Sequence, residues 1–269
     1  MSLVTGAVGT GVPVIAAERN APSRFDYMSN KRAKTIAYNS FRMASRITVQ
    51  CPSYVNQYPE YIRKKIVVIP NSVDAARAKA DAAGVYNSMK EILFVGRLDY
   101  QKNPATLLSA FAKIHECYPD WVLRFVGGGP YEEKLLEQAE KLGIASKVFF
   151  EGMQKDVEKY YAAAQIFCLP SLWEGFPNAL GEAMAHGLPS VGFQSCSGVC
   201  DLIENGVTGF LAEGKTDDAE SLSQNLAKLM ESDDVRKAMG AASYEAMNAY
   251  EPKQIYDRWE ELFLSVSRH

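Results

Sequence analysis

Short apolar runs alternate with longer stretches of helical period through most of this 269-residue chain, and nothing else in it constrains the fold as much. The runs at 13–17, 46–50, 65–69, 91–96, 121–126, 147–150, 165–169 and 189–193 have the length and bounding residues of strands. Helical spacing of apolar residues is found at 31–44, 104–117, 131–142, 156–163, 177–186, 217–231, 233–248 and 252–266. Alternating strand and helix predict an α/β fold built on doubly wound parallel sheets.

The stretch Glu174-Gly-Phe-Pro-Asn-Ala-Leu-Gly-Glu182 carries the most chemistry. Ile166-Phe-Cys-Leu-Pro170 reads as a buried strand, residues 171–175 as a loop, and Pro177 as the first turn of a helix. Glu174 then stands at the loop's tip and Glu182 about two helical turns further on, a separation of roughly 12 Å at 1.5 Å per residue. The helix N-terminus between them offers free backbone amides to an anion. On its own, the pair reads equally well as a capped helix with two incidental glutamates.

A second strand–loop–helix unit runs from Glu91-Ile-Leu-Phe-Val-Gly96 through Arg97-Leu-Asp-Tyr-Gln-Lys102 into a helix opened by Asn103-Pro104. Asn103 is suited to the N-cap and Pro104 to the first helical position. Arg97 and Lys102 at the end of a strand suit a diphosphate, the one as a planar fork and the other as a point charge. Alone they are solvated loop cations; beside the glutamate pair they read as ligands.

These segments together resemble the retaining glycosyltransferases of family 4, which have the two-domain GT-B fold. The resemblance rests on Val95-Gly-Arg-Leu-Asp-Tyr-Gln-Lys-Asn103, Phe125-Val-Gly-Gly-Gly-Pro130, Val148-Phe-Phe-Glu-Gly152, Leu169-Pro-Ser-Leu-Trp-Glu-Gly-Phe-Pro-Asn178 and residues 198–211. Their order and spacing hold from about residue 66 to the C-terminus. It implies a nucleotide-sugar donor, UDP-linked by preference, with no metal or other cofactor. By position, Arg97 and Lys102 would grip the diphosphate, Glu174 the sugar hydroxyls and Glu182 the ribose. Backbone around Gln154 would meet the base, and amides of Gly175, Phe176, Pro177 and Asn178 the sugar and phosphate. The acceptor implied is a saccharide or a polyprenyl-linked glycan in surface polysaccharide synthesis.

The bulk properties are compatible with this. With 47 % hydrophobic and 23 % charged residues the chain is of globular type, and a net charge of −3 gives no reason to expect nucleic acid. Five cysteines without a CxxC and three scattered histidines suggest neither a disulfide framework nor a metal site, so a reduced cytoplasm is the expected location. No run approaches a membrane span, and residues 3–17 lack the cationic start of a signal peptide. Gly127-Gly-Gly129 follows a strand but lacks the third glycine of a dinucleotide fingerprint, which argues against an oxidoreductase.

The expected organisation is a partial N-terminal domain at 1–74, a hinge at 75–84, a donor-binding domain at 85–250, and a last helix in 251–269 returning to the first domain. That helix is expected to bury Ile255, Trp259, Phe263 and Val266. Only the second half of the family's N-terminal domain is matched, and Met1-Ser2-Leu3 reads as an artificial start on a shortened chain. Two readings follow: a glycosyltransferase, or a nucleotide-sugar binding module without turnover. The incomplete first part is expected to favour self-association. Where relatives place a histidine, Glu18-Arg19-Asn20 stands, and Arg19 reads either as a sugar contact or as half of a salt bridge. Where relatives often carry Gly-x-x-Glu, Gly198-Val-Cys-Asp201 stands. Lys31, Arg32, Lys34, Arg42 and Arg46 fall on one arc of a helix over 31–46, which suggests either a solvated face or attraction to anionic lipid.

Overall fold

Nine parallel strands in two sheets are seen in the computed structural model, which describes residues 10–27, 31–84 and 89–267, with the side chains of 31–33 also left outside the description. The chain divides into two units: residues 1–72, 173–176 and 250–269 form the first, and 73–172 with 177–249 the second.

In the first unit β1 (Ile15–Ala17), β2 (Arg46–Val49) and β3 (Ile66–Val68) lie in the order β1-β2-β3, with Ala16 opposite Ile47 and Ile47 opposite Ile66. Helix α1 (Lys31–Phe41) leads into β2, and α2 (Glu60–Arg63) leads into β3. A helix that we number α10 (Pro252–Ser267) buries Ile255, Leu262 and Val266 against Ile69, with Ile15, Val67 and Trp259 packed around them. The buried stripe is therefore Ile255, Trp259, Leu262 and Val266. Phe263, expected from sequence to belong to it, does not: it stacks on Trp259 with ring centres 5.6 Å apart and remains exposed. A second cluster joins Phe25, Tyr38, Phe41 and Tyr58.

The continuous cationic helix expected over 31–46 is not formed. α1 ends at Phe41; the N–H groups of Arg42, Met43 and Ala44 bond back to residues three before them, and Arg46 opens β2. Strand pairing with Ile15 fixes Arg46 in the sheet, so the five cations share no helical arc. Lys34 lies 3.5 Å from Asp26, and Arg42 stands over the Tyr61 ring; the side chains of Lys31 and Arg32 fall outside the described residues.

In the second unit the sheet order is β6-β5-β4-β7-β8-β9, all parallel. The strands are β4 (Lys90–Val95), β5 (Trp121–Val126), β6 (Val148–Phe150), β7 (Ile166–Leu169), β8 (Ser190–Phe193) and β9 (Gly209–Ala212). Between them run α3 (Pro104–Ile114), α4 (Glu132–Lys141), α5 (Glu158–Ala163), α6 (Asn178–Ala185) and α7 (Val199–Leu202), followed by α8 (Ala219–Met230) and α9 (Asp233–Ala246). β7 and β8 are buried throughout, as central strands covered on both faces must be. α3 packs on α8 and α6 on α9.

Residues 73–84 belong to this second unit. The N–H of Ala80 donates to the His186 carbonyl at 2.7 Å, and Gln165 donates to Asp81 O at 3.1 Å. Arg236, fully buried, donates to the carbonyls of Ala82 (2.8 Å), Ala83 (3.0 Å) and Leu229 (2.6 Å) and pairs with Asp233. Its planar guanidinium also lies 5.0 Å from the Trp121 ring centre.

Candidate functional site

Because all six strands of the second unit are parallel, their carboxyl ends share one edge of the sheet. The chain leaves β4 toward β5 on one side, while β7 lies on the other, so the order reverses between β4 and β7. Ligands of open α/β sheets bind at such a switch point, outside the strand ends. The loops that carry Arg97, Lys102 and Gln154, and the start of α6, all leave from this edge.

The loop after β4 is held by backbone. Gly96 N–H donates to Val126 O at 3.0 Å, Leu98 N–H to Gly128 O at 3.0 Å, and Tyr131 N–H to Leu98 O at 2.9 Å. Gly127 N–H in turn reaches Gly152 O at 2.8 Å, joining the loops after β5 and β6. So close an approach needs Gly127: its φ is +131°, and a Cβ there would overlap the Gly96 carbonyl. The triple glycine thus serves contact between loops.

Arg97 projects into solvent, with Nη2 at 3.1 Å from Asp99 Oδ2 and 3.3 Å from Gln101 Oε1. Lys102 is half-buried, and its own N–H donates to the other Asp99 oxygen at 3.0 Å. One aspartate therefore organises the loop bearing both cations and leaves it with a net positive charge. Asn103 follows in the left-handed region (φ 53°), the position expected of an N-cap. Its side chain does not cap α3, contrary to the sequence expectation. It donates instead to Pro170 O at 3.1 Å and Thr216 O at 2.6 Å, while Thr106 donates to its Oδ1 at 2.9 Å. The amide is drawn away from the helix because two carbonyls at the ends of other loops need a donor.

Gln154, in the loop after β6, is half-buried and its amide donates to Glu151 O at 2.6 Å. α6 begins at Asn178, which is exposed, one residue later than expected; Pro177 is its N-cap at φ −79°, ψ 79° and has no N–H to offer an anion. Glu182 is exposed on α6, and its Oε2 accepts from the Tyr161 hydroxyl at 2.8 Å. Tyr161 is itself buried, and burial first, then the charge of Glu182, raises its pKa well above the ordinary tyrosine value. At the end of α6, His186 Nδ1 lies 2.8 Å from Glu182 O, with its ring 5.0 Å from that of Tyr161.

Glu174, Gly175 and Phe176 lie in the loop between β7 and α6, as expected. Residues 173–176 belong to the first unit, and Glu174 is buried. Their main chain is gripped there: the Tyr54 hydroxyl donates to Glu174 O and to Gly175 O (2.7 Å), and Cys51 Sγ to Gly175 O at 3.3 Å. A side chain at Gly175 would strike the Arg19 carbonyl. Phe176 is buried beside Tyr250, 5.6 Å between ring centres. Among the described residues Arg19 forms no salt bridge: Nη2 donates to Asn71 Oδ1 at 2.9 Å, and Glu18 pairs with Arg24 instead. At Gly198, the N–H already donates to Asp201 Oδ2 at 3.2 Å.

Asp99 and Tyr161 are the residues that sequence reasoning missed, and Asn103 was given a different partner. Asp99 had a signal, its spacing of two and three from Arg97 and Lys102; Tyr161 had none beyond lying in an amphipathic helix. Among the described residues no group of three or more His, Cys, Asp or Glu could hold a metal ion, and no helix is long and apolar enough to cross a membrane.

Two units, each built on a parallel sheet, give an α/β fold of the GT-B class, as the solved structures that superpose on it show. The chain belongs to the family Glycosyl transferases group 1, whose model matches residues 76–246. An uncharacterized glycosyltransferase of Haemophilus influenzae is 30 % identical over 88 % of this chain and 66 % of its own length. The Campylobacter jejuni N-acetylgalactosamine-N,N'-diacetylbacillosaminyl-diphospho-undecaprenol 4-alpha-N-acetylgalactosaminyltransferase is 32 % identical over 65 % of this chain and 47 % of its own. The Anabaena protein HepE, solved in complex with UDP and glucose, superposes with a TM-score of 0.83 at 20 % identity, over 97 % of this chain and 74 % of that one. The chain spans between 21 % and 66 % of the length of the first curated relatives it matches.

Proposed function

We propose that the chain is the donor-binding part, with an adjoining portion of the acceptor side, of a retaining family 4 glycosyltransferase. It would move a hexose or N-acetylhexosamine from a nucleoside diphosphate, UDP by preference, to a saccharide or lipid-linked acceptor. The observation that carries this reading is the loop of Arg97 and Lys102, two cations organised by Asp99 at the switch point of a parallel sheet. The family and the UDP bound to HepE support it.

In this mechanism Arg97 and Lys102 neutralise the charge that develops on the departing diphosphate, the type of electrostatic stabilisation that contributes most in such transfers. The backbone amide of Asn178 at the start of α6 is assigned to the phosphate and sugar, and Glu182 to the ribose hydroxyls. Backbone near Gln154 borders the base. Glu174 is assigned the sugar hydroxyls on its sequence position, eight residues before Glu182. The acceptor hydroxyl attacks on the face that the diphosphate leaves.

Titration with a panel of UDP-, GDP- and ADP-sugars, beside a turnover assay with a saccharide acceptor, tests this reading. Donor binding with transfer supports the enzyme. Donor binding without transfer favours the alternative, a binding module. No binding to any donor overturns both.

A further inference from the structure

We propose that Tyr161 is a positioning residue for the nucleotide: its hydroxyl fixes one oxygen of Glu182 so that the other is presented to the ribose diol. The proposal rests on the assignment of Glu182 to the ribose made above.

Glu182 is exposed on α6, and a glutamate side chain in that setting samples several rotamers. Here it is restrained at one of its two oxygens. Oε2 accepts from the Tyr161 hydroxyl at 2.8 Å, and Oε1 has no hydrogen-bond partner among the described residues. Tyr161 is 1 % exposed, so its hydroxyl needs a partner inside the protein, and Glu182 is the one it has. With its pKa held well above the ordinary value, Tyr161 stays a donor across the physiological range. The ring is itself fixed, by Phe167 of β7 at 6.1 Å and by His186 at 5.0 Å, and His186 is tied at Nδ1 to the carbonyl of Glu182. The chain of contacts runs from the central strand to a single carboxylate oxygen. A carboxylate with one oxygen committed accepts from a vicinal diol in one orientation, which makes the site selective for ribose over sugars lacking the hydroxyls.

The test measures affinity for UDP and for 2′,3′-dideoxy-UDP in the unaltered chain, in Glu182→Ala and in Tyr161→Phe. The dideoxy nucleotide reports the integrity of the rest of the site, so general damage lowers both affinities and leaves their ratio unchanged. Glu182→Ala should abolish the preference for UDP, and Tyr161→Phe should reduce that preference about three- to tenfold, the contribution of one hydrogen bond. If Glu182→Ala collapses the preference while Tyr161→Phe leaves it intact, the positioning role is wrong and the ribose assignment stands. If Glu182→Ala leaves the preference intact, the ribose assignment fails and the proposal fails with it.

Discussion

The side-chain amide of Asn103 donates to the carbonyl of Pro170 at 3.1 Å and so ties the loop after β4 to the loop after β7, the two that flank the switch point. The same amide reaches Thr216 O, so one residue braces three loop ends. Asn103→Gly keeps the left-handed backbone and removes only the brace; Asn103→Ala also imposes a strained φ. We expect denaturation midpoints to fall for both, with Ala below Gly by about 1 kcal/mol. Equal stability of Gly and unaltered chains would show that the brace contributes nothing.

Gly127→Ala forces a Cβ against the Gly96 carbonyl at a positive φ, so the loop bearing Arg97 must shift. Thermal unfolding should drop by about 2–4 kcal/mol, and nucleotide affinity should fall with it. Retained affinity in a folded variant would dissociate the glycine loop from the site.

Arg236 is a purely structural test in the same unit. Arg236→Met keeps much of the volume but leaves the carbonyls of Ala82, Ala83 and Leu229 without their donor. We expect a loss of about 2–4 kcal/mol in chemical denaturation, with nucleotide affinity of the folded fraction unchanged. A variant as stable as the parent would mean that water replaces the guanidinium.

The periodic core of the fold was legible: eight strands and the eight longer helices follow from apolar runs and helical spacing. β9 was not, because Gly209-Phe-Leu-Ala212 is four residues long, opens on a glycine and follows a turn-rich stretch. α7 and α2, one turn each, carry no periodic signal. At the site, the loop of Arg97 and Lys102 was readable from charge and position. The burial of Glu174 was not, because it depends on Tyr54 and Cys51, more than a hundred residues earlier in sequence. Arg46 was read both as the start of a strand at 46–50 and as part of a helical arc of cations; its pairing with Ile15 bears out the strand and removes it from the arc.

The two glutamates should separate by ligand. Glu182→Ala should weaken binding of free nucleoside diphosphate, which contains the ribose. Glu174→Gln, nearly isosteric at a buried position, should spare the free diphosphate and reduce only the extra affinity supplied by the sugar. Equal weakening of free diphosphate by both would refute the order of contacts along the donor.

The central claim is that the loop after β4 holds a nucleoside diphosphate, and calorimetric titration of UDP into the unaltered chain and into Arg97→Ala, Lys102→Ala and the double variant tests it most directly. Each single loss should cost about 1.5–3 kcal/mol, with exposed Arg97 at the lower end and half-buried Lys102 at the upper. The double variant should bind about a hundredfold more weakly or worse, with its circular dichroism unchanged. UDP affinity equal to the parent's in a folded double variant would contradict the assignment of the site.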